Sequence, residues 1–127
     1  MKILVDTHIF LWFILEDDRL NSELFDLLEA DHDVFISVAS LWEIAIKVSV
    51  NKLKLPEPFY PFIQTQIGIN DFQILGIRHE HLGVVSQLDF CHRDPFDRLI
   101  ISQAIVETMP VVTLDSQFNQ YPIQLIG

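Results

Sequence analysis

Lys2-Ile3-Leu4-Val5-Asp6 decides how this chain is read: an apolar run with no polar alternation, stopped by an acid. A strand with one wet face alternates apolar and polar residues, whereas an unbroken apolar run fits a strand buried on both faces. Val34-Phe35-Ile36, Phe72 to Ile77 and Val111-Val112-Thr113-Leu114 read as further short strands, and Ile123 to Ile126 as a fifth at an edge. Helices are expected between them. Ile9 to Leu15 follows Asp6 or Thr7 as its cap, and Leu20 to Ala30 sets four leucines against Glu23, Asp26 and Glu29. Ser37 opens a helix to about Val50, Pro61 sits in the first turn of another through Ile67, and Glu80 to Leu88 is a third. Asp94-Pro95 starts a long one through Met109. Strands alternating with helices predict an α/β fold of three layers, α/β/α, with a mostly parallel four- to five-stranded sheet.

The 127 residues suit one domain over 1–127, half hydrophobic and one fifth charged, which excludes a disordered or low-complexity chain. One cysteine, Cys91, leaves no internal disulfide and fits a reducing compartment. No run of about 18 uncharged apolar residues occurs, so no membrane span is predicted. The first residues lack the pattern of a secretory leader, because Asp6 and His8 interrupt the apolar run. The expected location is cytoplasmic.

Eighteen acids against eight bases give a net charge of −10, which on its face argues against a nucleic-acid ligand. The charge is unevenly spread. Eight of the acids, Glu16, Asp17, Asp18, Glu23, Asp26, Glu29, Asp31 and Asp33, lie in one stretch with a single base, Arg19. Between Glu43 and Glu57 the only charges are Lys47, Lys52 and Lys54. An acidic face and a smaller basic stripe are expected on different parts of the surface.

Several chemistries lack their material. With four glycines in all, neither a dinucleotide-binding nor a P-loop phosphate cradle is present, and there is no Gly-x-Ser-x-Gly elbow. Cys91-His92 has no second cysteine for zinc, and His79-x-His81 has no further ligands close by, so these histidines read as ordinary surface or helix-start residues. What remains is a set of carboxylates. In an open parallel sheet, ligands gather outside the carboxyl ends of the strands. Asp6 ends the first strand, Asp115 follows the fourth, Glu43 lies within two turns of the start of the helix after the second, and Asp97 sits in the first turn of the helix leading into the fourth. Each has an ordinary explanation too: Asp6 as a helix cap, Glu43 in a capping box with Ser40, Asp97 as a complement to the helix dipole, Asp115 as a turn former. Asp94 reads as a helix cap, and Arg98 as its salt-bridge partner one turn on. Jointly, four converging carboxylates would repel one another unless cations neutralised them, and hard oxygen ligands select Mg²⁺ or Mn²⁺.

Asp6-Thr7-His8, Ser40-Leu41-Trp42-Glu43-Ile44-Ala45-Ile46-Lys47, His92-Arg93-Asp94-Pro95-Phe96-Asp97-Arg98 and Val112-Thr113-Leu114-Asp115 together resemble the sequence blocks of PIN domains. Among these they are most similar to the VapC-type toxins of bacterial toxin–antitoxin modules, over essentially the whole chain and in order. The resemblance implies a PIN fold and a Mg²⁺- or Mn²⁺-dependent endoribonuclease with Asp6, Glu43, Asp97 and Asp115 as its metal-binding acids. It implies RNA cleavage by an activated water to a 3′-hydroxyl and a 5′-phosphate. Thr7 and Thr113 are expected to orient carboxylates or waters, and Asp94 to cap the helix or stand just behind the metal ligands. Lys47, Lys52, Lys54, Arg93 and Arg98 are candidate contacts to the RNA backbone. The resemblance further implies a cognate antitoxin, a homodimer and DNA contact only through that antitoxin, with Phe10, Trp12 and Phe13 either lining the antitoxin groove or filling the core. Two alternatives stay open: a catalytically weak metal-binding interaction module, and a PIN nuclease of RNA processing or DNA flaps.

Overall fold

The computed structural model describes all 127 residues. The elements run β1 (Lys2–Val5), α1 (Thr7–Ile14), α2 (Ser22–Glu29), β2 (Asp33–Ser37), α3 (Val38–Ser49), α4 (Phe59–Asn70), β3 (Gln73–Leu75), α5 (His79–Gln87), α6 (Pro95–Glu107), β4 (Val111–Val112) and β5 (Leu125–Ile126). A 3₁₀ turn over Ser116–Gln120, which periodicity did not predict, links the last two strands. The sheet order is β3-β2-β1-β4-β5 and every neighbouring pair is parallel.

Successive residues of the central strands feed opposite cores, which is why their sequences are apolar throughout. Ile3 and Val5 of β1, Val34 and Ile36 of β2, and Val112 of β4 face one layer with Ile9, Phe10 and Phe13 of α1, Leu24 and Leu28 of α2, and Phe62 and Ile63 of α4. Leu4 and Val111 face the other, with Ile100, Ile101 and Ala104 of α6 and with Phe118 and Tyr121. Phe10 and Phe13 are thus core residues and not groove lining. Phe72 meets both edge-on, at ring-centroid distances of 5.1 and 5.7 Å.

α4 begins two residues before Pro61, which occupies the first turn, where its missing N–H costs no helical bond. β4 ends at Val112, earlier than its apolar sequence predicts, although the Thr113 N–H still donates to the Ile126 carbonyl at 3.0 Å.

The strand order reverses at β1. The chain builds β1, β2 and β3 outward on one side, then returns through α6 to β4 on the other. A crevice at the carboxyl ends of β1 and β4 follows from that reversal, and ligands of open α/β sheets gather in such crevices. Because α6 leads into β4, its N-terminus lies at the same rim.

Candidate metal centre

Asp6 leaves β1 directly at this crevice and is 3 % exposed. It caps α1: its Oδ1 accepts the Ile9 N–H at 2.8 Å. Its Oδ2 accepts the Thr113 hydroxyl. The same Thr113 oxygen accepts the Asp115 N–H at 3.0 Å, so one threonine ties together the segments that follow β1 and β4. Asp115 uses Oδ1 to cap the 3₁₀ turn through the Gln117 N–H, at 2.9 Å, and leaves Oδ2 free to point elsewhere.

Glu43 comes from α3. Ser37 caps that helix by accepting the Ala39 N–H at 3.0 Å, so Glu43 lies a turn inside and closes no capping box with Ser40. It is 5 % exposed among apolar neighbours. Its Oε2 pairs with Lys47 Nζ at 3.1 Å, while Oε1 is buried with no partner. Asp97 is placed by Asp94, whose Oδ1 accepts the N–H groups of Phe96 at 2.8 Å and of Asp97 itself at 3.2 Å. The Asp94-Pro95 start therefore fixes where Asp97 stands on α6, as the sequence predicts.

Burial pushes the Asp97 carboxyl up to about 8, and the charges of Asp94, Glu43, Asp6 and Asp115 add to the rise in that order. Burial likewise raises Asp6, against the lowering effect of its bonds from Thr113 and Ile9. Asp97 thus feels the other three acids across one rim, while Asp97 and Asp115 are the two of the four with ligand atoms in a group within 4.8 Å, shared with His92. The arrangement fits a divalent cation on two grounds. A buried carboxylate oxygen without a partner is costly, and Glu43 Oε1 is such an atom at this rim. The donor set is made of carboxylate oxygens, which suit Mg²⁺ and Mn²⁺.

His92, read from the sequence as an ordinary residue, belongs to the centre. It is 6 % exposed, and its Nε2 lies 3.1 Å from Asp97 Oδ2 and 3.2 Å from Asp115 Oδ2. Its sequence signal was its place in the His92-Arg93-Asp94-Pro95-Phe96-Asp97 block; testing it only as a zinc ligand missed it. Of the two readings given to His81, surface or helix start, the structure supports the helix start. Fully buried, His81 accepts the Arg78 N–H at 2.9 Å through Nδ1 and meets Glu107 Oε2 at 2.8 Å.

Other candidates lie away from the acids. The Thr7 hydroxyl donates to Ser40 Oγ at 2.9 Å and joins α1 to α3 instead of orienting a carboxylate. The Arg98 guanidinium, expected to pair with Asp94 or to reach RNA, is buried. It donates to the carbonyls of Asp89 at 3.0 Å and Leu88 at 3.2 Å, and lies 4.6 Å from the Phe90 ring centroid. It pins the loop between α5 and α6. Lys52 and Lys54 follow the C-terminus of α3, which runs back from the rim for roughly 18 Å of helix. Arg93 is exposed and follows His92 in the chain, and Lys47 stands against Glu43.

Beside Asp6 and Asp115 a notch of about 210 Å³ opens, lined by His8, Ile9, Trp12 and Leu114.

Residues 3–124 match the PIN domain family. No curated protein matches the chain. Among solved structures it is similar to VapBC2 from Rickettsia felis, determined bound to a DNA fragment from its promoter, with TM-score 0.75 and 21% identity over 99% of this chain and 98% of that one. FitAcB from Neisseria gonorrhoeae gives TM-score 0.70 and 18% identity over 100% and 97%. A toxin–antitoxin complex from Klebsiella pneumoniae gives TM-score 0.67 and 15% identity over 98% and 96%.

Proposed function

The chain belongs to the PIN domain family, and from that premise we propose that it is a metal-dependent endoribonuclease acting as the toxin of a VapC-type toxin–antitoxin module. The observation that supports the reading is that Asp97 feels the charges of Glu43, Asp6 and Asp115 at the crevice beside β1 and β4, with one Glu43 oxygen buried and unpartnered. Those four carboxylates would hold Mg²⁺ or Mn²⁺. When bound, such a cation lowers the pKa of a water and offsets charge on the phosphodiester.

The chain's own residues do the rest. Thr113 fixes the Asp6 carboxylate by donating to Oδ2. Asp94 sets the first turn of α6 and with it the position of Asp97. Lys47 neutralises one side of Glu43. No side chain at the rim is placed as a covalent nucleophile, and a hydrolytic route to a 3′-hydroxyl and a 5′-phosphate fits that donor set. Arg93 approaches the RNA backbone from outside.

The toxin role draws on the comparison structures, which include toxin–antitoxin complexes. A small antitoxin encoded beside this chain would cover the acids, and any contact with operator DNA would run through it. Self-association is supported by Trp42, Ile46 and Val50, which recur every four residues along and just beyond α3 and are exposed. Location in the cytoplasm follows from that role.

The test is cleavage of structured RNA by the purified chain. Activity should require Mg²⁺ or Mn²⁺, stop with EDTA, and fall by more than about 100-fold in Asp6→Asn, beyond the loss usual for an outer partner of a metal. Metal binding without cleavage would instead favour an interaction module.

A further inference from the structure

Resting on the metal-centre reading above, we infer that His92 is a positioning residue: its Nε2–H stands between Asp97 and Asp115 as a hydrogen-bond donor, and it is not itself a ligand to the cation. Spacing alone does not decide between these roles. The imidazole Nε2 and one oxygen of each carboxylate lie within 4.8 Å of one another, a grouping that would hold a metal equally well. An imidazole ligand would shift the centre's preference toward zinc, nickel or other nitrogen-binding cations.

The far side of the ring settles the matter. His92 Nδ1 lies 3.2 Å from the backbone nitrogen of Asp94 and accepts its N–H. A peptide N–H is always a donor, so Nδ1 keeps its lone pair and the ring proton sits on Nε2. That nitrogen donates to Asp115 Oδ2 at 3.2 Å, and Asp97 Oδ2 lies 3.1 Å from the same nitrogen. With its proton in place it has no lone pair for a cation. To ligate one, the ring would have to move the proton to Nδ1 and set it against the Asp94 N–H, leaving two buried donors opposed and unsatisfied.

Packing holds the ring in this orientation. Phe118 meets it edge-on, with centroids 5.8 Å apart and planes at 86°. The Tyr121 hydroxyl accepts the His92 backbone N–H at 2.7 Å. The loop that carries His92 is pinned in turn by Arg98, which reaches the carbonyls of Leu88 and Asp89. The carboxyl groups of Asp97 and Asp115 therefore stand against one ring nitrogen before any cation arrives, and the ligand set stays all-oxygen.

Three measurements on the full chain test this. In uniformly ¹⁵N-labelled protein, long-range proton–nitrogen correlations should show His92 as the Nε2–H tautomer. Pulsed electron paramagnetic resonance of the Mn²⁺-loaded protein should show no directly coordinated ¹⁴N. By calorimetry His92→Phe should bind Mn²⁺ about 10–100-fold more weakly, while His92→Gln, whose amide can donate to the same carboxylates, should recover most of the loss. A strong ¹⁴N coupling that disappears in His92→Gln would make His92 a ligand and overturn the inference. Unchanged Mn²⁺ affinity in His92→Phe would overturn it as well, while leaving the metal centre standing. If the wild-type chain binds no Mn²⁺ at all, the metal-centre reading falls and this inference with it. Should His92→Phe fail to fold, the two spectroscopic measurements on wild-type protein still decide.

Discussion

Asp97 carries the clearest consequence of crowding at the rim. Its carboxyl is pushed up to about 8 from the ordinary 3.8, first by burial and then by its acidic neighbours. Between those values the folded chain holds a proton that the unfolded chain has released. Stability from this group is therefore full below about 3.8 and is lost as pH rises toward 8. Asp97→Asn escapes that loss. Without metal, the melting temperature of the variant relative to wild type should climb across this window, and a difference that stays flat with pH would contradict the burial argument. Arg98 gives a second test. Since its guanidinium donates to loop carbonyls, Arg98→Met should cost about 3 kcal/mol in denaturant unfolding, the upper range for hydrogen bonds to a charged group. A variant of full stability but weakened RNA binding would return Arg98 to the substrate. The reading of Arg98 from sequence failed because its partners are backbone carbonyls, which leave no mark on residue identity.

Elements were legible where their signals are local. Asp94-Pro95 marks the start of α6, and the leucines of α2 mark its inner face, because caps and the helical period act within a few residues. Ends were less legible. α6 closes on Thr108, which takes a left-handed conformation with φ of 54° at the position where glycine is usual. A β-branched residue is strained there, and Thr108 is exposed. Thr108→Gly should stabilise the chain by about 0.5–1 kcal/mol, the relieved strain less the added freedom of the unfolded chain. Calorimetry should register a rise of a few degrees, and a fall would show that Thr108 makes a contribution beyond its backbone. The 3₁₀ turn after β4 escaped prediction because a single turn has no periodicity to read; only Asp115, as its cap, signals it.

Over the whole molecule, a net charge of −10 has to coexist with the RNA substrate proposed above. The structure separates the two demands. Glu23, Asp26 and Glu29 lie exposed on α2, on the outside of one layer, while the rim holds its own acids for a cation. Millimolar Mg²⁺ should raise the melting temperature, EDTA should reverse it, and Asp6→Asn should abolish the effect, since a ligand bound only by the folded state stabilises it. RNA binding should weaken as salt rises. Arg93→Glu should raise KM more than Lys54→Glu, because α3 carries Lys54 away from the rim; equal effects would place the RNA along a longer track. The strands, their burial on two faces and the acids that follow β1 and β4 were written in the sequence, because apolar runs and chain position beside a strand end are local properties that a parallel sheet converts directly into location; the order of the strands in the sheet was not. The tertiary structure alone decided that His92 stands within 3.2 Å of both Asp97 and Asp115, that Thr113 ties Asp6 to the segment after β4, and that Arg98 turns inward. Each of those contacts joins a side chain to groups its residue type does not name, and only the packed layers choose among the partners open to such a side chain.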